Sequence, residues 1–301
     1  MPPKVASAAP EWTLADRWVR ARLNTLVGDV EHLFGTHQYG EAGRQIYDFF
    51  WSEFADWYVE TAKLQLAEGG DRAFYTLRNL VNVLDTCLRL LHPFTPFVTE
   101  ELWGHLKRAA QEHSAALDPA QGWEEALIVA RWPEQASAEG GEEQTIKDFE
   151  LIMDAVRGIR NLRVEKKVAP GKRIPATVVG GERAAMLRDQ ARTLASLASL
   201  DAQQVTVVEN LAEKPQGQTP LVVAGVEIYL PLSDLVDAAA ERARIQKELA
   251  DTQSQIARLE GLLGSPFAQK APAAVVDKER QKLATYQESA NKLSAQLADL
   301  G

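Results

Sequence analysis

A short basic segment, IRNLRVEKKVAPGKR at residues 159–173, has the residue types that suit phosphate binding best. Arg157, Arg160 and Arg163 recur every three residues, a spacing that places side chains on one broad face of a helix. Lys166 continues the row, and arginine and lysine bind phosphate groups through charge-assisted hydrogen bonds. The segment therefore predicts a phosphate-facing patch, with an ordinary solvated helix end and loop as the alternative.

The distribution of charge sets this segment apart from the rest of the chain. The 301 residues have a formal net charge of −9, and residues 1–144 hold 12 basic against 22 acidic side chains. Residues 145–175 reverse this balance, with 8 basic against 4 acidic side chains. Because local charge decides contacts with nucleic acid more than net charge does, the overall acidity does not exclude a nucleic-acid partner.

An aromatic segment, FFWSEFADWYVE at residues 49–60, could form a core or a platform for stacking a nucleotide base. At helical spacing Tyr47, Trp51, Phe54 and Tyr58 form one stripe, so the helix is apolar around most of its girth and is expected to lie deep in a bundle. Only its C-terminal end, near Tyr58 and Val59, is expected to reach a rim.

No motif for catalysis, metal binding or nucleotide binding occurs in the sequence. GxGxxG, GxxxxGK[ST] and HExxH are all absent. The single cysteine, Cys87, excludes an internal disulfide, lies among apolar helical positions and fits a reducing, cytoplasmic environment. No apolar run approaches the length of a membrane span, and the N-terminus lacks the apolar core of a signal peptide. We expect no catalytic residue, no metal and no cofactor in this chain.

The elements that must position these residues are mainly α-helical. After a disordered lead-in at 1–10, residues 11–144 carry amphipathic helices that begin near Leu14 and then cover about 41–67, 72–91 and 95–110, which predicts an antiparallel helical bundle. The segment ALIVARWP, at 126–133, is expected to end the bundle as a short strand or extended stretch.

Two further parts follow the bundle. Residues 145–232 predict a basic helix at 145–165 and a small α/β module, whose last two strands meet in a hairpin turn at Ala224 and Gly225. Residues 233–301 predict an antiparallel coiled-coil hairpin, because two apolar seams of 3.5-residue period flank one Gly/Pro-containing loop. The first seam is Ile245, Leu249, Thr252, Ile256, Leu259 and Leu263, and the second is Val276, Glu279, Leu283, Tyr286, Ala290, Leu293, Leu297 and Leu300.

Four segments in this order resemble the C-terminal part of the bacterial valyl-tRNA synthetases: FFWSEFADWYVE, HPFTPFVTEELW, IRNLRVEKKVAPGK and SPFAQKAPAAVVDKERQKLATY. The resemblance runs from about Leu14 to the end. The first two segments are shared with the related leucine and isoleucine enzymes, and the last is more specific to the valine enzyme. The resemblance implies an anticodon-binding domain, a small junction module and a coiled-coil arm that packs on the elbow of tRNA.

The resemblance also implies positions for tRNA contacts. Val59 matches an apolar residue that packs against an anticodon base, and Arg258 and Lys282 match positions that meet the paired loops of the elbow. Lys282 stands where the family can have arginine, and an ammonium group cannot stack on a base as a guanidinium does. Lys63, on the polar stripe of the aromatic helix, joins the basic segment among the predicted tRNA contacts.

The HIGH and KMSKS elements that use ATP in this family, the editing domain and the helix expected just before residue 1 are absent. The chain is therefore expected to be a fragment, or the product of a split or truncated gene, that binds tRNA(Val) and the remainder of a synthetase without aminoacylating. We expect a monomer that does not bind membranes. The alternatives are a helical coiled-coil scaffold for protein partners and an enzyme with an unrecognised site.

Overall fold

The structure is a computed structural model that describes residues 6–7, 11–119, 122–137, 140–232, 238–265 and 273–299. The predicted lead-in at 1–10 lies almost entirely outside these residues, as do the loop of the hairpin and the final seam residue Leu300. The α-helices are α1 Leu14–Gly35, α2 Tyr39–Asp48, α3 Glu60–Glu68, α4 Gly70–Leu91, α5 Pro96–His113, α6 Glu142–Glu165, α7 Ala184–Asp189, α8 Ala191–Leu197, α9 Ala238–Gly264 and α10 Ala273–Asp299. The strands are β1 Ile174–Val179, β2 Leu200–Val208, β3 Thr219–Val223 and β4 Val226–Leu230. None of the described helices has the length and apolarity needed to cross a membrane.

The chain divides into two compact units. The first comprises Met1–Asn161 and Arg173–Leu230, and the second comprises Leu162–Lys172 and Pro231–Gly301. Within the first unit the helical bundle and the small sheet pack together, and the Arg192 guanidinium of α8 lies 2.7 Å from the Glu68 carboxylate of α3. The mainly α architecture with a small α/β module is confirmed.

Helix α1 begins at a complete capping box. The Thr13 hydroxyl accepts a hydrogen bond from the Asp16 amide, and the Asp16 carboxylate accepts one from the Thr13 amide. One turn further on, the Trp18 indole stacks on Phe149 of α6 with ring centroids 4.4 Å apart, and both side chains are fully buried. The aromatic pair therefore fixes α6, the helix that carries the basic residues, against the bundle.

The aromatic segment forms a π-helix, Phe49–Val59, between α2 and α3. In a π-helix the hydrogen bonds join residues five apart, so side chains spaced by five and four share a face. Its buried residues are Phe49, Phe54, Trp57 and Tyr58. The predicted stripe was wrong for Tyr47 and Trp51, which are 59% and 51% exposed, because the wider turn rotates Trp51 away from the core.

A buried polar network joins α1, the π-helix and α4. The Tyr58 hydroxyl donates to Asp16 Oδ1 at 2.7 Å and accepts from Asn79 Nδ2 at 2.7 Å. Burial and the neighbouring Asp16 carboxylate raise the pKa of Tyr58 well above its ordinary value. The phenol therefore stays neutral and keeps donating to Asp16, which stabilises the packing of the three elements.

A second buried network lies at the other end of α4. The Arg89 guanidinium binds both carboxylate oxygens of Asp85, at 3.1 and 2.9 Å, and the Trp103 indole donates to Asp85 Oδ1 at 2.7 Å. Arg89 also donates to the backbone carbonyl oxygens of Arg131 and Gly122. One side chain thus fastens the loop segment after α5 to the helical core.

For ALIVARWP, predicted as a short strand or extended stretch, the strand was wrong, because Leu127–Val129 is a single 3₁₀ turn, while the flanking Ala126 and Ala130 have extended backbone. The Glu100 carboxylate of α5 accepts hydrogen bonds from the amides of Leu127 and Ile128 at 2.7 and 3.2 Å. These amides are satisfied by a side chain and need no partner strand.

The four strands form one mixed sheet in the order β2-β1-β4-β3. β1 and β2 are parallel, joined through α7 and α8, whereas β4 is antiparallel to both β1 and β3. The predicted hairpin turn is confirmed at Ala224 and Gly225, whose φ angles are 47° and 84°. The helical connection between β1 and β2 is divided into α7 and α8 at Gln190.

In the second unit α9 and α10 pack against each other as an antiparallel hairpin, the arrangement that a short connection imposes. Gln287 Nε2 donates to Glu260 Oε1 at 3.4 Å across the pair. Ile245, Leu259 and Val276 are buried, and the remaining seam residues whose side chains are described are half-buried, except that Tyr286 is 37% exposed. The predicted seam is thus mostly turned inward, although Leu262 and Ser289, which lie outside it, are half-buried as well.

Candidate nucleic-acid interface

Two arginines of α6 cover the buried indole of Trp57. The guanidinium carbons of Arg157 and Arg160 lie 5.0 and 5.7 Å from the ring centroid, while Trp57 itself is only 5% exposed. This geometry allows a cation–π interaction for both side chains. The aromatic segment therefore supplies a platform, and arginines occupy it.

Each of these arginines is also held by a hydrogen bond. Arg157 donates to the Asp154 carboxylate at 3.0 Å, and Arg160 donates through Nε to the Leu197 carbonyl oxygen at 2.9 Å. Both residues remain exposed to solvent, with 51% of the Arg157 side chain accessible. Stacking and hydrogen bonding restrict the rotamers in advance, so less entropy is lost when a guanidinium binds a phosphate.

Val59 and Lys63 follow Trp57 on the same helical segment. Val59 ends the π-helix and is half-buried, so part of its side chain is accessible. The expectation that Tyr58 also lies near a rim was wrong, because its side chain is fully buried in the polar network with Asp16 and Asn79. Lys63 is exposed and pairs with the Glu60 carboxylate at 2.6 Å. An exposed ion pair of this kind contributes little stability, and the ammonium group can exchange that partner for a phosphate.

Arg163 is the exception to the predicted exposed face of α6. It is 6% exposed, and its guanidinium donates to the carbonyl oxygens of Lys172 at 2.8 Å and Ala169 at 3.4 Å. Burial lowers its pKa from the ordinary value. Arg163 thus organises the Pro-Gly turn after α6. Lys166 is half-buried and lies 3.3 Å from the Glu165 carboxylate.

On the hairpin, Arg258 and Lys282 flank the seam and are exposed. Lys282 pairs with the Glu279 carboxylate at 2.6 Å. Counted from the Glu260–Gln287 contact, the two cations lie within about 10 Å of each other along the hairpin axis, at 1.5 Å per residue. The structure therefore presents two accessible cations at similar levels of the arm.

The role of Trp57 was missed by reasoning from the sequence. Trp57 and its two arginines are about a hundred positions apart in the chain, so no local spacing links them. Among the described residues no group of three or more His, Cys, Asp and Glu side chains is placed to hold a metal ion.

Two family models match the chain. Residues 16–178 match the anticodon-binding domain of tRNA ligase, and residues 237–301 match the valyl tRNA synthetase tRNA binding arm. Curated relatives are similar over most of the chain. A valine–tRNA ligase from Carboxydothermus hydrogenoformans is 40% identical over 92% of this chain, one from Dehalococcoides mccartyi 38% over 94%, and one from Geobacillus stearothermophilus 35% over 96%.

The chain spans only 30–31% of the length of these relatives. The Trp57–Arg157–Arg160 cluster lies within the matched anticodon-binding domain, and Arg258 and Lys282 lie within the matched arm. The chain belongs to the valyl-tRNA synthetase family and corresponds to its C-terminal part, an anticodon-binding domain followed by a tRNA-binding arm.

Proposed function

We propose that this chain binds tRNA(Val) at two places and so supports the attachment of valine by the remainder of a synthetase. The bundle contacts the anticodon side through Arg157, Arg160, Val59 and Lys63, and the hairpin contacts the elbow through Arg258 and Lys282. One observation carries the proposal. The two matched family models are an anticodon-binding domain and a tRNA-binding arm, and this chain exposes predicted tRNA-contacting cations in both regions.

The two places have different chemistry. In the bundle, Trp57 holds two guanidinium groups in fixed orientations, which suits bidentate contacts with backbone phosphates. The half-buried Val59 offers an apolar surface to a base. On the arm, exposed cations flank a long apolar seam, which suits the outer corner of a folded RNA, where shape and phosphates are recognised. The chain acts as a monomer in the cytoplasm and uses no cofactor itself.

Binding to tRNA(Val) is expected to weaken strongly as salt is added. Each phosphate neutralised by Lys or Arg releases counterions, so log K falls linearly with log salt, by about 0.7–0.9 per contact. Titration of labelled tRNA(Val) by fluorescence anisotropy at a series of salt concentrations measures this slope. A scaffold that binds only proteins would not change the anisotropy of the labelled tRNA. Absence of tRNA binding at low salt therefore contradicts the proposal.

The chain alone is expected to show no exchange of pyrophosphate into ATP in the presence of valine. Binding of a nucleoside triphosphate needs backbone amides or a positioned lysine that donate hydrogen bonds to its phosphates, and the sequence has no motif of this kind. Incubation of the purified chain with valine, ATP and labelled pyrophosphate tests this, with a complete valine–tRNA ligase as the positive control. Exchange above the no-enzyme background contradicts the assignment of catalysis to another part of the synthetase.

A further inference from the structure

A continuous apolar surface is left uncovered on the first unit. We call it the aromatic surface. Its residues, with exposed fractions from 36% to 92%, are Tyr39, Tyr47, Trp51, Phe94, Phe97 and Val98. From the exposed parts of its five rings we estimate an area of roughly 500 Å², at the upper end of what monomeric proteins leave uncovered.

The continuity of the aromatic surface follows from its contacts. Tyr39, Gly43 and Tyr47 are spaced by four on α2, and Trp51 follows on the π-helix with its ring 6.2 Å from that of Tyr47. The Phe94 ring lies against Gly43, where an added Cβ would be 3.1 Å from it.

Phe94 also joins α2 to the start of α5. The ring of Phe34 contacts both Tyr39 and Phe94, at 5.3 and 5.9 Å. Phe97 and Val98 lie in the first turn of α5, three and four residues after Phe94. The aromatic surface therefore runs from the outer face of α2 and the π-helix across to the first turn of α5.

The charges beside the aromatic surface disfavour RNA. Arg44, next to Gly43 on α2, already pairs with the Glu41 and Asp48 carboxylates at 2.5 and 2.6 Å. Glu101 lies one turn after Phe97 and is exposed. A phosphate backbone would meet these carboxylates, and Arg44 already pairs with two of them, whereas an apolar protein segment would bury the rings at little electrostatic cost.

The coverage of the relatives identifies the protein that fits. This chain spans 30–31% of their length and corresponds to the C-terminal part, so most of a valine–tRNA ligase precedes the matched region. We propose that the aromatic surface is the docking site for that preceding part of the synthetase, packed through Trp51, Phe97 and the rings between them. This inference rests on the proposed function in that it takes the remainder of a synthetase as the partner.

Hydroxyl-radical footprinting compares the isolated chain with a chimera in which this chain replaces the matched C-terminal region of the Carboxydothermus ligase. Oxidation of Trp51 and Phe97 is expected to slow by about fivefold or more in the chimera, because the core of an interface excludes water. Tyr286, on the arm, serves as the exposed reference. Charging of tRNA shows that the chimera is folded; if it does not charge, the same footprint is taken on a mixture of the isolated chain and the ligase lacking its matched region.

Protection of Trp51 and Phe97 in either format supports the docking site, and full reactivity in both overturns it. Two other results overturn it in favour of another occupant. Protection in the isolated chain that grows with protein concentration indicates a second copy, and protection on adding tRNA(Val) alone indicates an RNA surface. The tRNA titration is made on the isolated chain and is independent of the footprint. If the isolated chain does not bind tRNA, the proposed function is contradicted, and the footprint still tests the docking site.

Matched variants give an independent readout. Trp51→Ser with Phe97→Ser is expected to destabilise the chimera while leaving the isolated chain and its tRNA affinity unchanged, because both side chains are exposed there. Val222→Ser, at a position 66% exposed on β3, is the control and is expected to change neither. Equal effects of the two sets of substitutions on the chimera overturn the proposal.

Discussion

Replacement of Arg157 and Arg160 together by glutamate is expected to weaken binding of tRNA(Val) by about 100-fold or more. A hydrogen bond to a charged group contributes about 1.5–3 kcal/mol. Loss of two such contacts therefore costs about 3 kcal/mol or more, or two factors of ten. The slope of log K against log salt is expected to flatten by about one unit for each lost phosphate contact. Fluorescence anisotropy with labelled tRNA measures both quantities.

The matched control is Arg183→Glu with Arg188→Glu. These two exposed arginines donate to the backbone carbonyl oxygens of Ala224 and Val207, as Arg160 does to that of Leu197, and the control makes the same change in charge. We expect a much smaller loss of affinity and the wild-type salt slope. The test variant also removes the two guanidinium groups that lie over the Trp57 ring, which can change stability. Thermal unfolding of all variants therefore separates a loss of affinity from a loss of stability. Similar losses in both pairs would mean that net charge, and not the Trp57 cluster, governs binding.

Replacement of Arg89 by methionine is expected to lower the free energy of unfolding by about 3–5 kcal/mol, because it leaves the buried Asp85 carboxylate without its counter-charge. Two carbonyl acceptors in the segment after α5 lose their donor as well. Burial already raises the pKa of Asp85, against the opposing effect of hydrogen bonds from Arg89 and Trp103. Loss of Arg89 is expected to raise the pKa of Asp85 further.

The pH dependence of the Arg89 variant follows from the raised pKa of Asp85. A raised pKa means that the folded state holds the proton of Asp85 more tightly than the unfolded chain does, so stability is gained as the pH falls through the raised pKa. The deficit relative to wild type is therefore expected to shrink at acid pH. Urea unfolding at several pH values measures it. Arg44→Met, which removes an exposed and ion-paired arginine, is the control for a small effect, and equal destabilisation by the two variants contradicts the buried-pair explanation.

The elements that the sequence predicts well are those whose cause is local. The arm follows from apolar residues repeating every 3.5 positions, and every predicted seam position whose side chain is described is buried or half-buried, except Tyr286. The turn at Ala224 and Gly225 follows from two consecutive residues with positive φ between alternating strands. In both cases neighbours in the chain determine the geometry.

The features that the sequence does not predict depend on distant contacts. The π-helix moves Trp51 to the surface, and residue preferences alone do not distinguish it from an α-helix. Arg163 has the same spacing as Arg157 and Arg160, yet the turn that follows α6 takes its guanidinium as a hydrogen-bond donor. Trp57 and its arginines meet only because α6 packs on the bundle.

The most direct measurement of two-site recognition compares intact tRNA(Val) with an isolated anticodon stem-loop, for the wild-type chain and for Arg258→Ala with Lys282→Ala. The hairpin places both cations at similar levels of the arm, and the stem-loop has no elbow for them to meet. We expect the double variant to lose affinity for intact tRNA by about tenfold, on the scale of one charged hydrogen bond, and to bind the stem-loop as the wild type does. An equal loss on both RNAs, or no loss on either, would contradict the assignment of the arm to the elbow.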